Sequence, residues 1–178
     1  NFIEVNSDKF IYFEGEKIKL SSNAEPAEIR EIAVGLGEKT YTFTKNGVKL
    51  DVQILVQPKW EELVAARCRY IAEKQQYAEE NSPLDGAYLV YDTKKECFYY
   101  SHIDHDHNGG RERVAMGILL ARWLQKNKDE KVLASLKKYM AYIERELFDE
   151  ETGIVYNDVK RNNDWNRLYN YPWMSTLF

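Results

Sequence analysis

The stretch VKLDVQILVQPKWEELVAARCRYI, residues 48–71, changes period in its middle, and the fold class follows from that change. Val48, Leu50, Val52, Ile54 and Val56 stand two apart, so an extended chain puts them all on one face. Pro58 ends the alternation, because a residue without an N–H cannot continue a ladder. Beyond it Trp60, Leu63, Val64 and Ile71, joined by Cys68, recur at helical spacing.

Upstream of this stretch, Tyr41 and Phe43 alternate with Thr40, Thr42 and Thr44 before Asn46-Gly47. That dipeptide predicts a type I′ hairpin turn, whose two central residues both need positive φ. Ile3 and Val5, then Phe10, Tyr12 and Phe13, then Ile18 and Leu20 read as further short strands, with a turn at Gly15. Residues 27–33, following Pro26, are expected to form a short helical turn. Residues 1–57 are thus expected to be an antiparallel β region.

Downstream, the first helix is expected to run to about Glu80. A second starts near Arg111, with Val114, Ala115, Ile118, Leu119 and Leu124 nearly continuous. A third spans about Asp129 to Leu147, its stripe Val132, Leu136, Tyr139, Met140 and Ile143. Lys137, Lys138, Glu144 and Arg145 flank that stripe as a solvated face, and Asp149 to Gly153 read as the closing turn. Tyr171 to Phe178 open a fourth helix, with Pro172 in a first turn where its missing N–H costs nothing. The fold class is therefore α+β, with residues 58–178 forming α-helical hairpins.

The connections are unequal. Helices two and three are joined by a tight turn around Asn127, Lys128 and Asp129, whereas residues 81–110 and 148–170 form two long connections. If the helices alternate up and down, both long connections emerge at one end. Loops of that length generally carry function. Strand-like pieces lie within them: Ala87 to Tyr91, Cys97 to Tyr100, and Gly153 to Tyr156.

Composition narrows the class. With 44 % apolar and 30 % charged residues the chain can build a packed core. A net charge of −4 implies no broad cationic surface, which argues against a nucleic-acid partner. No apolar run is long enough to cross a bilayer, so no membrane partner is expected. Cys68 and Cys97 are too few for a disulfide scaffold and read as inert buried thiols.

All three histidines fall in Ser101-His102-Ile103-Asp104-His105-Asp106-His107-Asn108-Gly109-Gly110-Arg111-Glu112-Arg113, where the first long connection enters helix two. Gly109 and Gly110 are expected to let the backbone turn sharply and approach a ligand. The helix start favours the carboxylates Asp104, Asp106 and Glu112, which the histidines could hold or tune. Two carboxylates flanking a glycosidic bond suit hydrolysis, whereas a lyase needs a histidine or tyrosine base. The structural alternative is that Asn108 or Gly109 caps the helix and Glu112 completes a capping arrangement. Asp104, His105, Asp106 and His107 alternate in direction if extended, so no metal site is expected, nor any other cofactor. The second long connection brings Asn162, Asn163, Asp164, Trp165, Asn166 and Arg167, then Tyr169, Asn170, Tyr171 and Trp173. Such amides, acids and rings suit sugar recognition, although Tyr171 and Trp173 also fit a helix core.

On these residues the chain from about Gln57 to Phe178 resembles the six-hairpin glycosidase superfamily. The features carrying the resemblance are the strand-to-helix passage at Val52–Trp60, residues His107 to Arg113, Asp164-Trp165-Asn166 and Tyr171-Pro172-Trp173. It implies part of an (α/α)6 toroid, with residues 1–57 as the closing strands of a preceding β-sandwich. It further implies a carbohydrate-active enzyme, foremost a glycoside hydrolase on an oligosaccharide or polysaccharide. The alternatives are a polysaccharide lyase on the same scaffold and a non-catalytic glycan- or protein-binding module. Asp106, Glu112 and Asp164 are then the catalytic candidates. His105, His107, Asn108, Arg111, Trp165, Asn166 and Tyr171 are the substrate-binding candidates. The resemblance also implies a periplasmic or extracellular site of action. A toroid needs more helices than this chain holds, so the chain is expected to be a piece of a longer protein, prone to self-association through exposed helix faces.

Overall fold

The Asn46-Gly47 turn closes the longest pairing in the chain. Asn46 (φ 51°) and Gly47 (φ 78°) both adopt the left-handed conformation that a type I′ turn requires. The flanking strands pair antiparallel from Lys45↔Val48 out to Gly37↔Val56. The structure, a computed structural model, describes residues 2–100, 109–110, 113–163 and 168–178, and divides into units of residues 1–63 and 64–178.

The first unit contains β1 (Val5–Ser7), β2 (Ile11–Phe13), β3 (Lys17–Ser22), β4 (Glu28–Ile32), β5 (Gly37–Lys45) and β6 (Val48–Gln57). Two three-stranded sheets, ordered β1-β3-β4 and β2-β6-β5, share one core of Tyr12, Ile18, Leu20, Phe43, Ile54 and Val56. The buried Tyr12 hydroxyl is satisfied by Asp8 Oδ1 at 2.8 Å and by Ser7 Oγ at 3.0 Å. The apolar stripe of β6 outruns this core: Val48 is 54 % exposed.

Two expectations for this unit are corrected. Residues 28–32 form strand β4, not a helical turn, and pair with β3 in the register Leu20↔Ile29. So short a helix cannot repay its nucleation, whereas β3 offers an open ladder. The region is also not wholly antiparallel, because β2 runs parallel to β6 with Tyr12 opposite Val56. Three strands intervene in sequence, so no hairpin dictates their direction.

Helix α1 (Trp60–Tyr70) begins in the first unit and continues into the second, which also holds α2 (Val114–Leu124), α3 (Glu130–Tyr142) and α4 (Tyr171–Leu177), with a small β7 (Val90–Asp92) and β8 (Cys97–Tyr99) hairpin. Its core gathers Ile71, Tyr88, Leu89, Leu120, Val132, Tyr139, Tyr142, Ile143 and Leu147. Asp129 caps α3: its Oδ1 accepts from Val132 N at 3.2 Å, and its Oδ2 pairs with Arg69 Nε at 3.1 Å. Gly117 lets α2 approach closely, since a Cβ there would lie 2.6 Å from the Tyr139 ring and 3.2 Å from Leu177. Cys97 departs from expectation in being exposed, while Cys68 is buried. Among the described residues no helix is long and apolar enough to cross a membrane.

Two successive segments repeat one backbone pattern. Helix α1 ends in a π turn over Ile71–Gln75, and α3 ends in one over Ile143–Leu147. Each then passes into an isolated antiparallel bridge, Gln76↔Tyr88 in the first and Phe148↔Val155 in the second. The bonds around the bridges correspond one for one. Leu89 N donates to Gln75 O (2.8 Å) as Tyr156 N donates to Leu147 O (2.8 Å). Tyr77 N donates to Ala87 O (2.8 Å) as Asp149 N donates to Ile154 O (3.0 Å). Gly86 and Gly153, both at positive φ, donate to the carbonyls of Tyr77 and Asp149. The bridge ends the first helix at Gln75, short of the expected Glu80, even though residues 76–80 are mostly good helix formers. Each repeat is thus a helix, a π turn, a bridged connection and a second helix.

Candidate functional site

The second helix of each repeat is reached through a long connection, and the two connections meet. Gly110 lies against the second: a Cβ on it would come within 2.1 Å of Asn157 O. A Cβ on Gly109 would meet the Leu84 side chain at 2.6 Å, the Tyr100 ring at 2.9 Å and Asp158 Oδ1 at 3.5 Å. Both glycines are buried, and Tyr142 at the end of α3 donates its hydroxyl to the Gly109 carbonyl. What the missing side chains permit is close approach to Asn157, Asp158 and Tyr100 of the same chain.

Beneath this junction lies a buried polar floor. Asn157, Asp158 and Asn170 are each no more than 1 % exposed. Asn170 Nδ2 donates to Asn157 Oδ1 at 3.3 Å, and Asp158 Oδ1 accepts from Val159 N at 2.8 Å. Asn157 N donates to Asn162 O at 2.7 Å, closing a turn in which Lys160 (φ 60°) and Arg161 (φ 53°) are left-handed. Such residues cost about 1 kcal/mol or more each and need holding in place.

The hold comes from the π turn of α3. The buried Glu146 carboxylate accepts from Lys160 N at 2.6 Å and from Arg145 Nε at 2.8 Å. Arg145 then reaches the first connection, donating to Asp85 O at 2.9 Å and Pro83 O at 3.3 Å. Arg161 pairs with Asp149 at 3.3 Å. Arg145 is exposed, as expected of a solvated face, and from there ties both connections to one turn. The turn from Asp149 to Gly153 forms as expected, with Asp149 Oδ1 accepting from Glu151 N (3.0 Å) and Thr152 N (3.3 Å).

The phenols around the junction stay protonated. Burial, and then the charge of Asp158, raises the Tyr100 pKa above the usual phenol value. Burial likewise raises Tyr139 and Tyr142, with neighbouring Tyr139 and Asp158 adding to the effect on Tyr142. These hydroxyls can donate hydrogen bonds but are poorly suited to abstract a proton near neutral pH.

Asp106, Glu112 and Asp164 lie outside the described residues, as do His105, His107, Asn108, Arg111, Trp165 and Asn166. The described residues on either side of them, Gly109, Gly110, Arg113, Asn163 and Leu168, belong to the two connections that meet at Asn157 or to the first turns of the helices they lead into. Arg113 stands at the start of α2, without a side-chain cap bond there, and its charge acts on Tyr139. Tyr171 is half-buried at the start of α4, in the wall of an apolar groove with Phe148, Val155 and Phe178. Asn170, read as a sugar ligand, is wholly buried. The sequence reading passed over Tyr142, Asn157 and Asp158. The available signal was a polar Asn-Asp pair directly after the apolar Ile154-Val155-Tyr156. No three His, Cys, Asp or Glu side chains among the described residues are grouped to hold a metal ion.

No protein-family model matches this chain, and no curated protein matches it in sequence. Among solved structures it is similar to one described as a polysaccharide lyase, with a TM-score of 0.85 over 98 % of this chain and 24 % identity. The chain spans 30 % of the length of that protein. What the two share at that identity is the fold.

Proposed function

We propose that this chain is part of a carbohydrate-active enzyme that cleaves an acidic polysaccharide by β-elimination, at a cleft walled by its two long connections. The observation that carries the reading is the fold, shared along nearly the whole chain with a polysaccharide lyase. The meeting of the connections at Gly110 and Asn157 supports it, because the candidate groups are close to these positions in sequence. In the same proposal the helical repeats contribute part of an (α/α) toroid of the six-hairpin type, and residues 1–57 the end of a β-sandwich before it.

Elimination needs a base for the proton on the carbon bearing the uronate carboxylate. As that proton leaves, the electron pair forms a carbon–carbon double bond and the bond to the departing sugar oxygen breaks. That oxygen then takes up a proton. Negative charge builds on the carboxylate meanwhile and calls for a cation or amide donors. His105 or His107 takes the base role, since an imidazole ordinarily titrates near neutral pH, whereas the Tyr142 hydroxyl is engaged by the Gly109 carbonyl. Arg111 faces the carboxylate, Asn108 and Asn166 supply amides, and Trp165 and Tyr171 stack on sugar rings. A second reading keeps Asp106, Glu112 and Asp164 as the acid and base of a glycoside hydrolase. The observation favouring it is that these three carboxylates also lie on the two connections or at the helix entered from one.

Incubation with a panel of uronate-containing and neutral polysaccharides, followed by ultraviolet absorbance and by reducing ends, decides between them. Absorbance from an unsaturated product, lost by about 10²–10⁴-fold in His105→Ala or His107→Ala, is the expected result. Reducing ends without absorbance, abolished by Asp106→Asn, Glu112→Gln or Asp164→Asn, would replace the lyase with the hydrolase. Glycan binding without any turnover would leave a binding module.

A further inference from the structure

At the seam between the two repeats lies an open polar cleft of about 460 Å³. The first connection lines it with Asn81, Ser82 and Asp85, the π turn of α3 with Arg145 and Glu146, and the second connection with Lys160. It sits beside the junction of the connections: Leu84, just before Asp85, lies against Gly109, and Lys160 follows Asp158 by two residues. Bonds within the chain hold its two sides together, since Arg145 Nη2 reaches Asp85 O at 2.9 Å and Glu146 accepts from Lys160 N at 2.6 Å. Most of its charge is already paired. Arg145 Nε donates to Glu146 Oε1 at 2.8 Å, and Lys138 Nζ stands 3.9 Å from Asp85 Oδ1. Lys160 Nζ is the exception, with no partner among the described residues. Arg145 Nη1 and the Asn81 amide likewise make no hydrogen bond among the described residues. The Ser82 hydroxyl, which accepts from Leu84 N at 3.2 Å, still has its proton to donate.

The backbone shows that the lysine is there for its side chain. Lys160 (φ 60°) and, across the cleft, Asn81 (φ 69°) are both left-handed. Glycine would hold the Lys160 turn at less cost, so the turn alone does not account for a lysine. The buried Glu146 carboxylate fixes the Lys160 N–H, which sets where the side chain leaves the backbone, while the residue itself is exposed. Arg145, held through its other two nitrogens, is ordered before any ligand arrives. We infer that the cleft is a subsite for a uronate residue of the substrate, with the Lys160 ammonium facing the sugar carboxylate and Arg145, Asn81 and Ser82 donating to its other oxygens. The inference rests on the reading of this chain as acting on an acidic polysaccharide, and it names the residues that recognise the acid on a sugar away from the reacting bond. A neutral sugar can use only the uncharged part of this set, so the cleft favours acidic over neutral glycans.

Isothermal titration calorimetry of the 178-residue chain tests this, with octasaccharides of polygalacturonate, alginate and chondroitin, each beside its carboxyl-reduced form. The expected result is that at least one acidic octasaccharide binds more tightly than its reduced form. Lys160→Gln should then weaken binding of the acidic form by about 3–10-fold and leave the reduced form unchanged, and Lys160→Arg should keep most of the affinity. Lys160→Gly separates recognition from folding. It should lose the same affinity while its urea midpoint holds or rises, because glycine suits the left-handed turn. A chain that binds none of these octasaccharides overturns the acidic-polysaccharide reading and the subsite with it. Binding that does not distinguish acidic from reduced forms, that Lys160→Gln leaves unchanged, or that it weakens equally for both overturns the subsite alone.

Discussion

At Gly110 it is space, not backbone angle, that requires glycine: its Cβ would sit 2.1 Å from a backbone oxygen that cannot rotate away. Gly110→Ala should therefore lower the stability of the helical unit by about 1–3 kcal/mol, read from its urea midpoint, and an unchanged midpoint would contradict the junction. Glu146 acts through charge, holding Lys160 N and Arg145 from a buried position. Glu146→Gln keeps the shape and removes the charge. It should cost about 1–3 kcal/mol and speed amide exchange at Lys160. Asp129 carries a pH dependence. The Val132 amide, then Arg69, holds its pKa below the ordinary value of 3.8. A depressed folded pKa contributes stability that is present above the unfolded value and is lost as pH falls through the folded one. The helical unit should therefore weaken as pH drops below that ordinary value, and Asp129→Asn should flatten this part of the profile.

Elements held by their own neighbours in sequence could be read in advance. The β5–β6 hairpin is set by its Asn-Gly turn, and α3 by its Asp129 cap and apolar stripe. Elements held by distant partners could not. The segment that became β4 carries no alternation of its own and owes its form to β3, while β2 owes its parallel direction to β6. Residues 76–80 favour helix locally, yet the Gln76↔Tyr88 bridge overrides that preference. The repeated turns make a comparison possible. Gly86 combines positive φ with close approach to Lys138 O, whereas Gly153 has positive φ and open space. Gly86→Ala should therefore destabilise the chain distinctly more than Gly153→Ala; equal losses would mean that the two turns are not covered differently.

At the scale of the molecule, unequal connection lengths were the useful signal. They pointed to two long segments emerging at a common end, and the segments meet through Gly110 and Asn157. The floor they share was not legible, because burial of Asn157, Asp158 and Asn170 depends on elements brought together by folding. The resemblance to a polysaccharide lyase and the convergence of the connections lead to one central claim, that the two segments form a single polysaccharide site. Hydrogen exchange with and without a uronate-containing oligosaccharide tests it most directly. The account predicts slowed exchange in residues 101–113 and 157–171 together, at the same oligosaccharide concentration. Protection confined to one of these segments, or falling only elsewhere in the chain, would contradict it.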